Sequence, residues 1–250
     1  MKVIKTVADW HDIQSKLQPQ TIGLVPTMGN LHRGHMSLID ASQRDNANTV
    51  VSCFVNPTQF NKTEDYDNYP TTKERDIELC AKMGVDFLFL PTPQTMYPCQ
   101  YEVRMNENSL SQIMEGVHRP GHFEGVLTIV LKLLNIFSPN KVYFGQKDYQ
   151  QLLLVKKMIR ALFINTDVIA CPTIRDQNGI ALSSRNTRLS NSGLLKLEKF
   201  AKIFHSPTTN LKERLKDIGV DVEYIENFDH RCFIAFFIEN IRLIDNKPIN

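Results

Sequence analysis

Two histidines three residues apart, His32 and His35, lie in Pro26-Thr27-Met28-Gly29-Asn30-Leu31-His32-Arg33-Gly34-His35. This run joins an apolar stretch to the helical Met36-Ser37-Leu38-Ile39. Imidazoles donate to phosphate oxygens whether neutral or protonated. A helix start adds unpaired N–H groups and a positive dipole end, so the junction suits phosphate. Gly29 and Gly34 let the backbone come close to a ligand. Taken alone, the histidines could be loop residues or two ligands of a metal. The run contains neither GxxxxGK(S/T) nor GxGxxG. A second polar cluster, Phe144-Gly145-Gln146-Lys147-Asp148-Tyr149-Gln150-Gln151, also follows an apolar run and opens a helix. Lys147 is placed to reach a phosphate, and Asp148 to cap the helix or meet a metal–phosphate. A third, Ala181-Leu182-Ser183-Ser184-Arg185-Asn186, offers hydroxyls and a guanidinium after a glycine-containing turn. Three donor-rich loops predict a polyanionic ligand.

Two further segments suggest an organic substrate. In Phe54-Val55-Asn56-Pro57-Thr58-Gln59-Phe60 the amides of Asn56 and Gln59 suit a small ligand with hydroxyl and carboxylate groups. The alternative for Asn56 is a turn residue that only shapes the backbone. His118-Arg119-Pro120-Gly121-His122-Phe123 sets two histidines four apart, as some zinc sites do, but the Pro-Gly between them breaks helical spacing. A loop wall or a helix start is the expected role. The five cysteines are scattered and odd in number, and no CxxC occurs. Neither a disulfide framework nor a zinc site is expected, and Cys53, inside an apolar run, reads as a small core residue.

Loops of this kind need rigid elements behind them. Thr21–Pro26, Thr49–Val55, Asp86–Leu90, Lys141–Phe144 and Asp167–Ala170 are short and largely apolar, as strands of a sheet covered on both faces must be. Phe123, Val126, Leu127, Val130, Leu133, Leu134 and Phe137 form an apolar stripe at helical spacing. A second helix opens at Asp148 and is expected to bury Leu152, Val155, Ile159 and Leu162. Strands alternating with helices predict a doubly wound parallel sheet. After Asn178-Gly179 the pattern changes to a helix over 191–204 and strand-like runs at Val222–Ile225 and Cys232–Ile238. Two domains are expected, 1–176 and a small α+β domain over 177–250.

At 250 residues, 42% hydrophobic and 22% charged, the composition is that of a globular chain. The formal net charge is +2, with no basic stripe or tail, so a nucleic-acid partner is not expected. Lys156, Lys157 and Arg160, the tightest basic cluster, have the spacing of a helix's wet face. No apolar run has the ~20 residues a membrane span needs. The first residues turn charged too soon for a signal peptide, so a soluble cytoplasmic protein is expected.

Seven motifs, taken in order, resemble those of one family. PTMGNLHRGH, FVNPTQF, FLFLPTPQTMYP, HRPGHFEGV, YFGQKDYQQL, PTIRDQNGIALSSRN and RLIDN resemble the pantothenate synthetases, the pantoate–β-alanine ligases of the HIGH-motif nucleotidylyltransferase superfamily. The resemblance implies a Rossmann-like first domain that binds nucleotide and pantoate, and a second domain that acts as a lid. It implies ATP contacts at Met28, Gly29, Asn30, Leu31, His32, Arg33, Gly34 and His35, with His35 as proton donor. Further ATP contacts are implied at Gly145, Gln146, Lys147, Asp148, Ile174, Leu182, Ser183, Ser184 and Arg185. Gln146 stands where the family often has Glu. His35, Lys147 and Arg185 would be catalytic. Gln59 would contact pantoate and β-alanine, and Gln151 pantoate, with Asn56 a further candidate. The implied reaction is ATP-dependent ligation through a pantoyl adenylate, with Mg²⁺ accompanying ATP and the protein a homodimer. Metal ligands are left unassigned. Between Phe204 and Ile241 the second domain reads as shorter than the family usually runs. Two rivals are another nucleotidylyltransferase, which would need more cations for an extra phosphate, and a non-catalytic nucleotide sensor.

Overall fold

The structure, a computed structural model, describes residues 1–17, 20–61, 63–207 and 209–249. The chain divides into two compact units. The first comprises Met1–Leu31, His35–Gln146 and Gln150–Cys171, and the second His32–Gly34, Lys147–Tyr149 and Pro172–Asn250.

Among the described residues of the first unit, six strands form one parallel sheet: β1 (Lys2–Ile4), β2 (Ile22–Thr27), β3 (Asn48–Cys53), β4 (Phe87–Phe89), β5 (Lys141–Gly145) and β6 (Asp167–Cys171). Their order is β1-β4-β3-β2-β5-β6. From β2 the chain winds outward through β3 and β4, then returns to place β5 on the other side of β2. In an open α/β sheet, ligands bind beyond the carboxyl ends of the strands at such a reversal. The residues that follow β2 and β5 there are Met28 and Gln146. The register holds β2 and β3 together along their whole length, from Ile22 opposite Asn48 to Thr27 opposite Cys53.

Long helices accompany these strands: α1 (Val7–Gln14), α2 (Arg33–Asp45), α3 (Lys73–Lys82), α4 (His122–Phe137) and α5 (Tyr149–Ala161). Helix α1 starts at Thr6, whose hydroxyl accepts the Asp9 N–H while Asp9 accepts the Thr6 N–H. That reciprocal cap satisfies two donors a helix start otherwise leaves open. The expected stripe of α4 is buried throughout, and Trp10 of α1 packs edge-on against Phe137 at 4.8 Å. Val25, Leu38, Ile39, Val51, Leu88 and Tyr143 form another part of this core. Each fully buried aliphatic side chain contributes ~1.5–3 kcal/mol relative to exposure. Helix α5 buries Leu152, Val155 and Ile159 and leaves Lys156, Lys157 and Arg160 exposed. The expected burial of Leu162 does not occur, because α5 ends at Ala161 and the chain turns through Phe163 at φ 54°, leaving Leu162 42% exposed.

The second unit contains α6 (Asn191–His205), α7 (Leu211–Asp217) and an antiparallel sheet of β7 (Asp221–Phe228), β8 (Arg231–Ile238) and β9 (Ile241–Pro248), in that order. Ser190 caps α6 by accepting the Gly193 N–H at 3.2 Å. Phe200 of α6 stacks on Phe236 of β8, ring centres 3.9 Å apart, within a core that includes Phe204, Leu215, Ile234 and Leu243. Among the described residues, no helix is long and apolar enough to cross a membrane.

Candidate active site

In the first unit, the chain leaving β2 turns at Gly29 (φ 80°) and Asn30 (φ 48°), a left-handed pair that the Gly29 position needs glycine to adopt at low cost. Asp76 of α3 fixes this turn. Its two carboxylate oxygens accept the N–H groups of Asn30 and Leu31 at 2.8 and 2.9 Å, and the Thr72 hydroxyl donates to it at 3.1 Å. Asp76 is 2% exposed, and a buried carboxylate persists only with such donors. Arg33 opens α2, with His35 half-buried two residues on.

The turn Pro57–Gln59 follows β3, with Asn56 at its cap position and Gln59 as its last residue. Asn56 Nδ2 donates to Gln59 Oε1 at 3.1 Å and to the Gly125 carbonyl of α4 at 3.1 Å. Asn56 Oδ1 accepts the Tyr97 hydroxyl at 2.7 Å and the Thr58 hydroxyl at 3.0 Å. The donor end of Gln59 faces Met28, Nε2 lying 2.8 Å from Sδ. The structure thus joins Met28, Asn56 and Gln59, and Asn56 is a buried member of the network as well as a turn residue.

His118 ends a one-turn helix (Glu115–His118) and His122 begins α4. A carbonyl only accepts, so His122 Nδ1–H donates to Gln59 O at 2.8 Å, and Arg119 in turn donates to Nε2 at 2.9 Å. Both ring nitrogens are engaged in hydrogen bonds, which leaves no lone pair for a metal. Of the two glutamines in α5, Gln150 is consumed internally: Nε2 donates to the carbonyls of Leu110 and Ile113, and Oε1 accepts the Glu115 N–H. Gln151, the expected pantoate contact, is the half-buried neighbour. Burial pushes the Cys53 thiol up to about 12, so it is protonated at neutral pH.

In the second unit, the Gly34 N–H donates to His32 Nδ1 at 3.1 Å, a bond that a neutral ring accepts when its proton sits on Nε2. Lys147 Nζ lies 3.7 Å from Asp148 Oδ1, and the Lys147 carbonyl accepts Asn246 Nδ2 at 2.8 Å. A further loop is tied back on itself: Leu182 N–H donates to Ile174 O at 3.0 Å, and Asn186 Nδ2 to Ala181 O at 3.0 Å. Within it, Ser183 Oγ accepts the Arg185 N–H at 3.3 Å and starts the turn Ser184–Arg188. Ser184 is buried, while Ser183 and Arg185 are half-buried. Arg33, of the first histidine segment, is exposed, and Gly145 and Gln146 are half-buried at the end of β5.

Reading the sequence missed three contributors: Asp76, Tyr97 and Asn246. Asp76 is one of several carboxylates on a polar helix. Tyr97 and Asn246 fall inside quoted motifs but carry no chemical signal of their own. Only their hydrogen bonds reveal them.

Among known proteins, the Pantoate-beta-alanine ligase family model matches residues 2–248. The pantothenate synthetase of Legionella pneumophila (strain Philadelphia 1) is 49% identical over 249 residues, 98% of this chain and 99% of that one. A second unit of this length is therefore shared with that relative. The structure resembles that of the pantoate–β-alanine ligase of Francisella tularensis, complexed with β-γ ATP and β-alanine. The TM-score is 0.95 at 42% identity, with 99% of this chain and 97% of that chain covered. The pantothenate synthetase of Thermus thermophilus gives a TM-score of 0.89 at 35% identity, covering 99% of both chains. Matched from end to end by the family model and by these relatives, the chain belongs to the pantoate–β-alanine ligase family.

Proposed function

We propose that this chain condenses pantoate with β-alanine, using ATP and releasing AMP and pyrophosphate. The observation that carries the reading at the site is the orientation of Gln59. Its Oε1 is occupied by Asn56 and one Nε2 hydrogen by Met28 Sδ, so what the side chain has left to offer is its second N–H. A carboxylate or hydroxyl oxygen needs a donor, and an amide supplies one without adding charge beside it. The pantoate carboxylate attacks the α-phosphorus of ATP. An O–P bond forms, the bond to pyrophosphate breaks, and a pantoyl adenylate results. The β-alanine amine then attacks the acyl carbon, loses a proton, and expels AMP. No protein nucleophile is required. Catalysis lies in positioning and in donors aimed where charge develops. His35 donates a proton to the reacting phosphate, Lys147 and Arg185 offset its charge, and Gln59 and Gln151 orient pantoate. Met28–Gly34, Gly145, Gln146, Asp148, Ile174, Leu182, Ser183 and Ser184 complete the ATP contacts.

Mg²⁺ suits this donor set as a companion of ATP. Among the described residues no three His, Cys, Asp or Glu side chains converge, whereas Mg²⁺ commonly takes one or two carboxylates plus substrate phosphates. Asp148 is the carboxylate that would meet it, and the ion would offset phosphate charge. A homodimer in the cytoplasm completes the reading.

The test is exchange of labelled pyrophosphate into ATP. Exchange is expected with pantoate present and β-alanine absent, and lost without pantoate. Lys147→Ala and Arg185→Ala are each expected to slow it by at least ~10²-fold, the scale for losing one transition-state donor. ADP as product would mean attack at the γ-phosphate, and exchange that requires β-alanine would mean no separate adenylate step. Either result refutes the proposal.

A further inference from the structure

We propose that Asn246 is a positioning residue for the reaction: it holds Lys147 in place through the Lys147 main-chain carbonyl. This rests on the reading that Lys147 donates to phosphate. Asn246, on β9, is 2% exposed, and its amide is locked at both ends. Arg231 Nε of β8 donates to Asn246 Oδ1 at 2.7 Å, so the opposite end must be Nδ2, which donates to Lys147 O at 2.8 Å. The main chain of Asn246 is fixed as well, because its N–H donates to Asp245 Oδ1 at 2.8 Å. Asp245 in turn receives Arg175 at both oxygens, 2.8 Å each, and His205 Nε2 at 3.0 Å. Burial would raise the Asp245 carboxyl, but these donors hold it below the usual range. The same Arg231 lies 4.5 Å over the Tyr149 ring, and Phe233 is 6.1 Å from that ring. Residues Lys147–Tyr149 are therefore gripped at a carbonyl by β9 and at an aromatic face by β8.

The grip matters because a lysine is a point charge on a flexible stem, so the position of its backbone origin limits where that charge can reach. Misplacing a transition-state donor by ~1 Å costs on the order of 10²-fold in rate. An amide is the group the position demands. It accepts from a cation on one side and donates to a carbonyl on the other, which neither a carboxylate nor an aliphatic chain does.

Asn246→Asp is the discriminating variant. It keeps the volume and the Arg231 partner but turns an oxygen toward the Lys147 carbonyl. In the full-length protein with saturating Mg-ATP and pantoate, it is expected to lower the pyrophosphate-exchange kcat at least ~10-fold. The KM for pantoate should stay near wild type, while the unfolding midpoint falls because the Lys147 carbonyl loses its buried donor. Introduced into Lys147→Ala, the same change should cost less than ~2-fold, since groups acting in series are not additive. Asn246→Ala, which removes the donor without adding charge, gives the same cycle if the Asp variant does not fold. If Lys147→Ala is slow while the Asn246 variants run at wild-type rate, Asn246 has no positioning role and the Lys147 reading stands. An equal cost in both backgrounds would likewise make Asn246 merely structural. If Lys147→Ala keeps the wild-type rate, the phosphate role of Lys147 falls, and this proposal with it.

Discussion

Gln59 shows how a single side chain acquires one chemical meaning from its neighbours. A free glutamine presents an acceptor and two donors with equal ease. Here Asn56 occupies the acceptor, and Tyr97 and Thr58 keep Asn56 from turning over. His122, held in the Nδ1–H tautomer by Arg119, fixes the Gln59 main chain. The result is an amide N–H donor that adds no charge of its own. Gln59→Glu is expected to weaken pantoate binding far more than ATP binding. It would set a carboxylate against the Asn56-oriented position and beside the substrate's own carboxylate, and like charges ~4–6 Å apart disfavour each other strongly. Calorimetric titration of each ligand decides this, and equal losses for both would make Gln59 a structural residue. At this scale the sequence revealed the types but not the orientations. The amides of FVNPTQF were legible because their chemistry is rare in an apolar context. The part of Tyr97 was not, since it acts only through Asn56 across 41 positions of chain.

Among the elements, α4 and the Pro57–Gln59 turn show how tightly the site is mounted. An added Cβ on Gly125 would lie 2.4 Å from the Thr58 carbonyl oxygen and 2.6 Å from the Gln59 nitrogen. Both are backbone atoms, so neither can move aside as a flexible side chain would. Gly125→Ala must push the turn off the helix, at a cost of ~1–3 kcal/mol for overpacking. The variant is expected to melt earlier and to show a raised KM for pantoate, because the displaced turn carries Gln59. A wild-type midpoint and KM together would mean the turn yields freely. Elements were legible where burial wrote a pattern. Strands β2 to β5 are largely buried because both their faces are covered, whereas β6, at the sheet edge, keeps most of its apolar residues only half-buried. The stripe of α4 is buried as its spacing requires. Two strands left no such mark. β1 is three residues at the sheet edge with two of them exposed, and β9 buries polar Asp245 and Asn246 in place of an apolar alternation. Leu162 misled for a different reason: periodicity continues past the residue at which the helix stops.

For the molecule as a whole, acid stability offers a test that does not involve catalysis. Glu107 lies in the segment before the turn Leu110–Gln112. It accepts the N–H groups of Ser109 and Ser111 at 3.1 and 2.8 Å and pairs with Lys157 of α5. Burial alone would raise its carboxyl, but Lys157 and the main-chain donors outweigh this and pull it from 4.5 down to about 2. Its own side chain is 11% exposed but that of Lys157 is 52% exposed, so solvent screens the ion pair and the contribution falls short of the full shift. A carboxyl that is more acidic folded than unfolded contributes stability above its unfolded value and loses it as pH falls toward the folded one. The contribution is thus complete at neutral pH, declines from about pH 4.5, and is gone near pH 2. At one pKa unit per ~1.4 kcal/mol, the unscreened upper bound is ~3.5 kcal/mol. Urea unfolding of wild type and Glu107→Gln across that range is the measurement. Other carboxylates, Asp45 and Asp245 among them, are also lowered and will erode the stability of both proteins alike. Only the difference isolates Glu107. That difference should be largest at neutral pH and close between pH 4.5 and 2. A difference that stays constant over the same range would mean that Glu107 contributes by packing and not by its charge.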